Sequence, residues 1–282
     1  MPAQFRRPWK AALFSLLCPG LGHVYLGQTA RGAMLYCVML LLGPLVAFLV
    51  LHLPLFPVSM VLLLVAALGF YGYVAVDAAR SSKRQETVFH SKAHHKWYVY
   101  ALLVLASLIV QELVTRPAVR VFTQAFRIPS GSMMPMLQIG DHILVDKLRY
   151  HFTPIQRGDI VVFRFPQDET RSFIHRVIGL PGERLEIRGK QVLIDGVPLD
   201  ESYVVYSDWT TSRLGEREKI GPFVIPPDRL FMMGDNRDHA MDSRYWGLLD
   251  VRKIQGKVAH IYFSWDSGAG AIRWARIGTE IH

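Results

Sequence analysis

"RIPSGSMMPMLQIGDHILVDK", residues 127 to 147, marks the point where the character of the chain changes. It opens on a turn-forming run, with Ser130, Gly131 and Ser132 between Pro129 and Pro135. It closes on HILVD, where apolar and polar residues alternate at the period of a strand. The two proline rings restrict the backbone, and a glycine admits conformations closed to other residues. Such a turn can hold one hydroxyl in place and aim backbone N–H groups at a carbonyl oxygen, as acyl transfer requires. It can equally be a loop whose serines satisfy their own backbone. Taken alone, the stretch leaves both readings open.

Upstream the chain is built for a membrane. Residues 32 to 53 (GAMLYCVMLLLGPLVAFLVLHL) and 58 to 76 (VSMVLLLVAALGFYGYVAV) contain no Asp, Glu, Lys or Arg, and each is long enough to cross a hydrocarbon core of about 30 Å as a helix. Pro54 to Pro57 reads as the tight turn of a helical hairpin. Residues 97 to 115 form a third candidate span, with Glu112 near its end and Trp97, Tyr98 and Tyr100 as interfacial anchors. The loop from 80 to 96 carries five basic residues against one Glu, so it is expected on the cytoplasmic side, which delivers residue 116 and everything after it to the outer side. Residues 11 to 30 have basic residues at both ends and are interrupted by Pro19, Gly20, Gly22 and Gly27. They are read as interfacial or re-entrant, a fourth crossing being the alternative. No small-x-small site follows the first apolar run, so no cleaved targeting peptide is expected. The expected division is a membrane module over 1–96, a transmembrane anchor over 97–115 and an extracytoplasmic domain over 116–282.

Composition agrees with that division. The 282 residues are 51% hydrophobic with a net charge of +9. Residues 1 to 115 hold nine Lys/Arg against three Asp/Glu, whereas residues 116 to 282 hold 23 against 20. The basic excess therefore flanks the apolar segments, and the polar half lacks the basic tract that tracks phosphates, so no nucleic-acid partner is expected. Cys18 and Cys37 both lie in apolar segments, which leaves no disulfide for the polar half. His94 and His95 have no Cys or carboxylate at ligand spacing and read as a solvated face, so no metal is expected there.

Downstream, short alternating runs (HILVDKL, DIVVFRF, SFIHRVIGL, RLEI, QVLI, RLFMM, GKVAHIYFSW) are separated by the turn signals IGD, RGD, LPGE, IDG and PPD. Stretches of helical period between them, which parallel βα units need, are absent. The fold class expected is an N-terminal transmembrane α-helical anchor followed by a mainly antiparallel β domain.

Four segments then carry a resemblance. "RIPSGSMMPMLQIGDHILVDK" (127 to 147), "RGDIVVFRFP" (157 to 166), "FIHRVIGLPGERLEI" (173 to 187) and "MGDNRDHAMDSRYWG" (233 to 247) resemble the four successive sequence boxes of bacterial type I signal peptidases, also called leader peptidases. They stand in the family's order, behind an anchor of the expected orientation. The resemblance implies a signal-peptidase-like β fold and a serine endopeptidase of the cytoplasmic membrane, its catalytic domain on the extracytoplasmic side, that removes signal peptides from exported preproteins after small residues at −3 and −1. It implies Ser132 as nucleophile, the Ser130 hydroxyl and Ser132 N–H as oxyanion donors, and Ile128, Pro129, Leu137, Val162 and Ile174 as the lining of shallow pockets. Preproteins and the lipid bilayer are the implied partners, with the secretion translocon a further one, and no cofactor or metal is implied.

The chain departs from the family pattern twice. Where the common bacterial form has a lysine general base, this chain has His175, and where a serine usually supports that lysine, it has Ala240. A buried lysine must lose several pKa units to be neutral near pH 7, whereas histidine starts near 6.5. An imidazole also prefers a carboxylate or carbonyl on its second nitrogen to a hydroxyl. Asp242 is the first candidate to orient His175 and Asp235 the second, although the resemblance more simply implies an Asp242–Arg244 ion pair that stiffens the site. Strand alternation puts Phe173, His175 and Val177 on one face, where a lone histidine is often a core residue. Two alternatives follow: His239 acts as base, or the protein is a catalytically silent membrane protein that binds signal peptides or a translocation partner. Self-cleaving transcriptional repressors share the β core but carry a DNA-binding head in place of membrane spans. Trp209, Trp246, Trp265 and Trp274 are candidates for a lipid surface, with core packing expected for at least two of them.

Overall fold

The computed structural model describes residues 7–52, 56–84, 97–206 and 219–281. The chain divides into two units, Met1–Phe122 and Thr123–His282.

The first unit is helical: α1 Pro8–Leu17, α2 Leu21–Tyr25, α3 Thr29–His52, α4 Phe56–Arg84 and α5 Trp97–Phe122. Segments Thr29–Leu49, Val58–Lys83 and Trp97–Phe122 are long and apolar enough to cross a membrane. At 10 and 5 residues, α1 and α2 are far short of the roughly 20 a span needs. The glycines of residues 20 to 32 let backbones touch: Gly20 has φ +90°, and a Cβ there would lie 2.1 Å from Gly32 O. Asp77, a charge on the apolar helix α4, is matched by buried His23 Nε2 and by Arg31, both at 2.8 Å, as an ionisable group among apolar neighbours requires. The third helix outlasts its expected end at 115: it runs through Pro117 to Phe122, with Glu112 and Arg116 paired at 2.6 Å one turn apart on it. Of the expected turn over 54–57, Pro57 lies within α4 and Pro54 outside the described residues, as do 85–96 of the basic loop with His94 and His95.

The second unit is a β domain. Its strands are β1 Thr123–Arg127, β2 Asp141–Asp146, β3 Ile160–Phe165, β4 Asp168–Gly179, β5 Arg184–Arg188, β6 Gln191–Ile194, β7 Val197–Pro198, β8 Lys219–Val224, β9 Arg229–Met233, β10 Leu249–Asp250, β11 Ile254–Asp266 and β12 Ala271–Ile272. The larger sheet runs β1-β2-β11-β3-β4-β9-β10 with β12 beside β11, the smaller β7-β6-β5-β8. Every strand pair in them is antiparallel. Two short helices, α6 Arg149–Phe152 and α7 Ser243–Trp246, interrupt the strands.

The centre of the larger sheet is covered on both faces, which is why β3 reads as the unbroken apolar run IVVF. Val162 packs with Ile128, Met133, Leu137 and Ile174 on one side. Val161 and Phe163 pack with Val177, Leu230, Met232 and Phe173 on the other. Pairing of Val161 with His175 and Val162 with Ile174 sets the register that brings the third sequence box beside the second.

Candidate active site

Ser132 lies in the loop that leaves β1. Ile128 N donates to Asp141 O at 2.8 Å and Gly140 N to Ile128 O at 3.0 Å, so the loop is pinched shut at its base. Its tip is held from the fourth box, where Asn236 N donates to Ser132 O at 3.0 Å and Asn236 Nδ2 to Gly131 O at 3.2 Å. This clamp, rather than an unusual glycine backbone, fixes the turn. Gly131 does not use the left-handed freedom a glycine permits, having no positive φ, and a Cβ there would meet the flexible Met134 side chain, with Sδ at 3.0 Å. Both bonds engage carbonyl oxygens, so the Ser132 N–H is left without a partner among the described residues.

Gly234 is the point of closest approach between boxes. A Cβ on it would lie 2.4 Å from Ala240 Cβ, 2.6 Å from Ser132 O and 3.5 Å from His175 Cδ2. Only a hydrogen fits among these three groups. Asn236 therefore acts on the serine from a rigid base. Asn236→Ala is expected to lower kcat about 10- to 100-fold, because displacing a reacting group by about 1 Å has an effect of that order. Cleavage kinetics alongside a melting curve of the variant check this.

His175 is 2% exposed, its ring 5.7 Å from that of Phe163 and 6.1 Å from that of Phe173. Nδ1 is sealed from solvent with no hydrogen-bond partner. Burial pushes the imidazole down to about 4, with Asp242 pulling upward and Arg244 adding to the depression. The ring is therefore neutral at pH 7. Among the described residues, no hydrogen bond joins the Ser132 hydroxyl to His175.

Neither candidate orienting carboxylate reaches the imidazole, which corrects that expectation for both. Asp242 accepts from Arg244 Nε at 2.9 Å and Nη2 at 2.8 Å and from Gly234 N at 3.2 Å. Asp235 accepts from Arg176 Nε and Nη2, both at 2.8 Å. A guanidinium fork fills both oxygens of a carboxylate at once, so the arginine next to each aspartate claims it ahead of a shorter, neutral ring. Asp242 acts on His175 through its field, not through a bond.

Ser132 and His175 line one cleft of about 570 Å³, together with Ser130, Ile128, Pro129 and Ile174. His239 also borders it and is exposed. Leu137 and Val162 do not line it. Both are fully buried in the core beneath, so the expectation that they form the pocket surface is corrected to support from below. Phe126, Met133, Phe173 and Met241 line the cleft instead. Strand alternation identifies Phe173 with His175, but no local pattern marks Met241, which belongs to an irregular stretch before α7. Trp246 packs on the core with Phe163 and Phe165, Trp265 and Trp274 are exposed, and Trp209 lies outside the described residues.

An unpartnered backbone N–H at a clamped serine, a neutral buried histidine in the same cleft and apolar helices ahead of the β domain are parts that a membrane-associated serine peptidase needs. The chain belongs to the signal peptidase family, peptidase S26, whose family model matches residues 96–265. It is similar to the signal peptidase I of Leptolyngbya laminosa, with 38% identity over 148 residues covering 49% of this chain and 68% of that one. A probable signal peptidase I-1 of Synechocystis sp. is 36% identical over 54% of this chain and 74% of its own. The signal peptidase I of Pseudomonas aeruginosa is 33% identical over 59% and 69%.

Proposed function

We propose that this protein removes N-terminal signal peptides from exported preproteins at the outer face of the cytoplasmic membrane, cutting after small residues at −3 and −1, with Ser132 as nucleophile and His175 as base. The observation that carries the reading is the shared cleft: the clamped serine and a ring neutral at pH 7 border the same space. The substrate binds extended along residues 128 to 130. As it fills the cleft, the Ser132 hydroxyl turns toward the imidazole, a contact that often tightens only once substrate is present. Oγ attacks the scissile carbonyl and its proton passes to Nε2, while Ser132 N–H and the Ser130 hydroxyl hold the oxyanion. The imidazolium then protonates the leaving amine, and water hydrolyses the acyl-enzyme by the same route in reverse.

The imidazolium forms in a site that disfavours it, and the Asp242 carboxylate is the group that supports the transient charge. Ala240, 2% exposed, offers no hydroxyl, consistent with a base that is not an ammonium. The preprotein and the bilayer are the partners in this reading, with the secretion translocon a further one.

Purified protein incubated with a preprotein tests it. One cut after a small −1 residue, read by mass spectrometry of the mature product, is the expected result. Replacing −1 Ala by Leu is expected to lower kcat/KM at least about 10- to 200-fold, since a shallow apolar pocket discriminates by one to three kcal/mol per misfit. Binding without cleavage would favour the silent signal-peptide receptor.

A further inference from the structure

Resting on the reading above, we propose that Arg127 and Arg171 form a carboxylate-recognition rim that selects preproteins bearing Asp or Glu just upstream of the small-residue pockets. Both arginines line the cleft, and among the described residues no Asp or Glu lines it with them. Both are exposed, and neither is ion-paired to a carboxylate among the described residues. The Arg171 guanidinium lies over the Phe173 ring at 5.5 Å from its centroid, an apolar platform that holds the charge in place. Asp168 shares part of the Arg171 field, but its carboxylate is engaged by Thr170 N and Oγ1, at 3.1 and 2.6 Å.

The two charges come from different strands. Arg127 ends β1, one residue before Ile128, and Arg171 lies three residues before Ile174 on β4. Ile128 and Ile174 are among the cleft-lining residues that the resemblance gives to the shallow pockets for small side chains. A strand advances about 3.3 Å per residue, so an extended substrate that has passed these pockets meets the arginines at roughly positions −4 to −6. Wild-type lining there offers two cations and no anion, so an acidic side chain gains and a lysine loses.

The test uses the full-length protein in detergent with preproteins carrying Ala at −1 and −3 and a single Asp, Ala or Lys placed in turn at −4, −5 and −6. Expected at low salt is a kcat/KM about 3- to 10-fold higher for Asp than for Ala at one or more of these positions, Lys falling below Ala. The preference should shrink as ionic strength rises. In Arg127→Ala/Arg171→Ala the Asp/Ala ratio should fall to one, and in Arg127→Glu/Arg171→Glu the order should invert. Equal rates for the three substrates with the wild type overturn the proposal, as does a preference that survives in both double variants. It is also overturned if the alanine double variant loses binding to phosphatidylglycerol vesicles while its Asp/Ala ratio stays at the wild-type value, which would assign the arginines to lipid phosphate. Failure of the wild type to cleave any of these substrates sinks the peptidase reading itself and this inference with it.

Discussion

Ser132→Ala is expected to abolish preprotein cleavage, with kcat falling by about 10⁶-fold and only the residual effect of binding and oxyanion donors remaining. The loss should be purely chemical. The side chain is half-buried and the loop is held through the Ser132 and Gly131 carbonyls, not through the hydroxyl. The variant should therefore melt within a degree or two of the wild type and still bind signal peptide. Single-turnover cleavage assays combined with a peptide-binding isotherm separate the two effects. A variant that cleaves at more than a percent of the wild-type rate would remove Ser132 from the nucleophile's role.

His175→Ala is the second large effect, with a loss of at least about 10³-fold in kcat. Because the ring is buried against Phe163 and Phe173, truncation also leaves a cavity and is expected to lower stability by roughly 1–3 kcal/mol. His175→Gln, which nearly fills the space, should keep the stability and lose the activity. His175→Lys is the informative replacement. It introduces an ammonium that finds no hydroxyl at Ala240, so the single variant is expected to be less stable and largely inactive. Adding Ala240→Ser should recover part of both. If His175→Gln keeps wild-type rates while His239→Gln loses them, the base is the exposed histidine at the mouth of the cleft.

Much of this was legible in the sequence because it rests on short-range patterns. Apolar runs in α3, α4 and α5 report lipid-length helices, and the alternation in HILVD and RLEI reports strands with one covered face. DIVVFRF reads as one more alternating run, but the structure buries IVVF on both faces at the centre of the larger sheet. Pro19, Gly20, Gly22 and Gly27 set residues 11 to 30 apart in the sequence as an interfacial or re-entrant stretch, with a fourth crossing as the alternative, and in the structure Gly20 lies against Gly32.

What the sequence could not supply was the competition among partners that only three dimensions decide. Asp235 looked available to an imidazole, yet Arg176 fills it, because a planar fork beside a carboxylate outbids a neutral ring; for Asp242 the pair with Arg244 that the resemblance implied is the one that forms. Leu137 and Val162 have the size and polarity of pocket residues, but burial places them one layer too deep. Asn236 was hidden inside a recognisable box, its role visible only once its amide was seen to reach the Gly131 carbonyl. Nor does any sequence pattern give the depth of His175, which sets its proton affinity.

That depth is where the account is most exposed, and the pH dependence of kcat/KM tests it directly. With the base neutral above its folded value, activity should be level from about pH 6 to 8 and should fall as pH drops through about 4, with a one-proton acid limb. An acid limb near pH 8 or above, or a profile unchanged in His175→Gln, would contradict His175 as the proton acceptor.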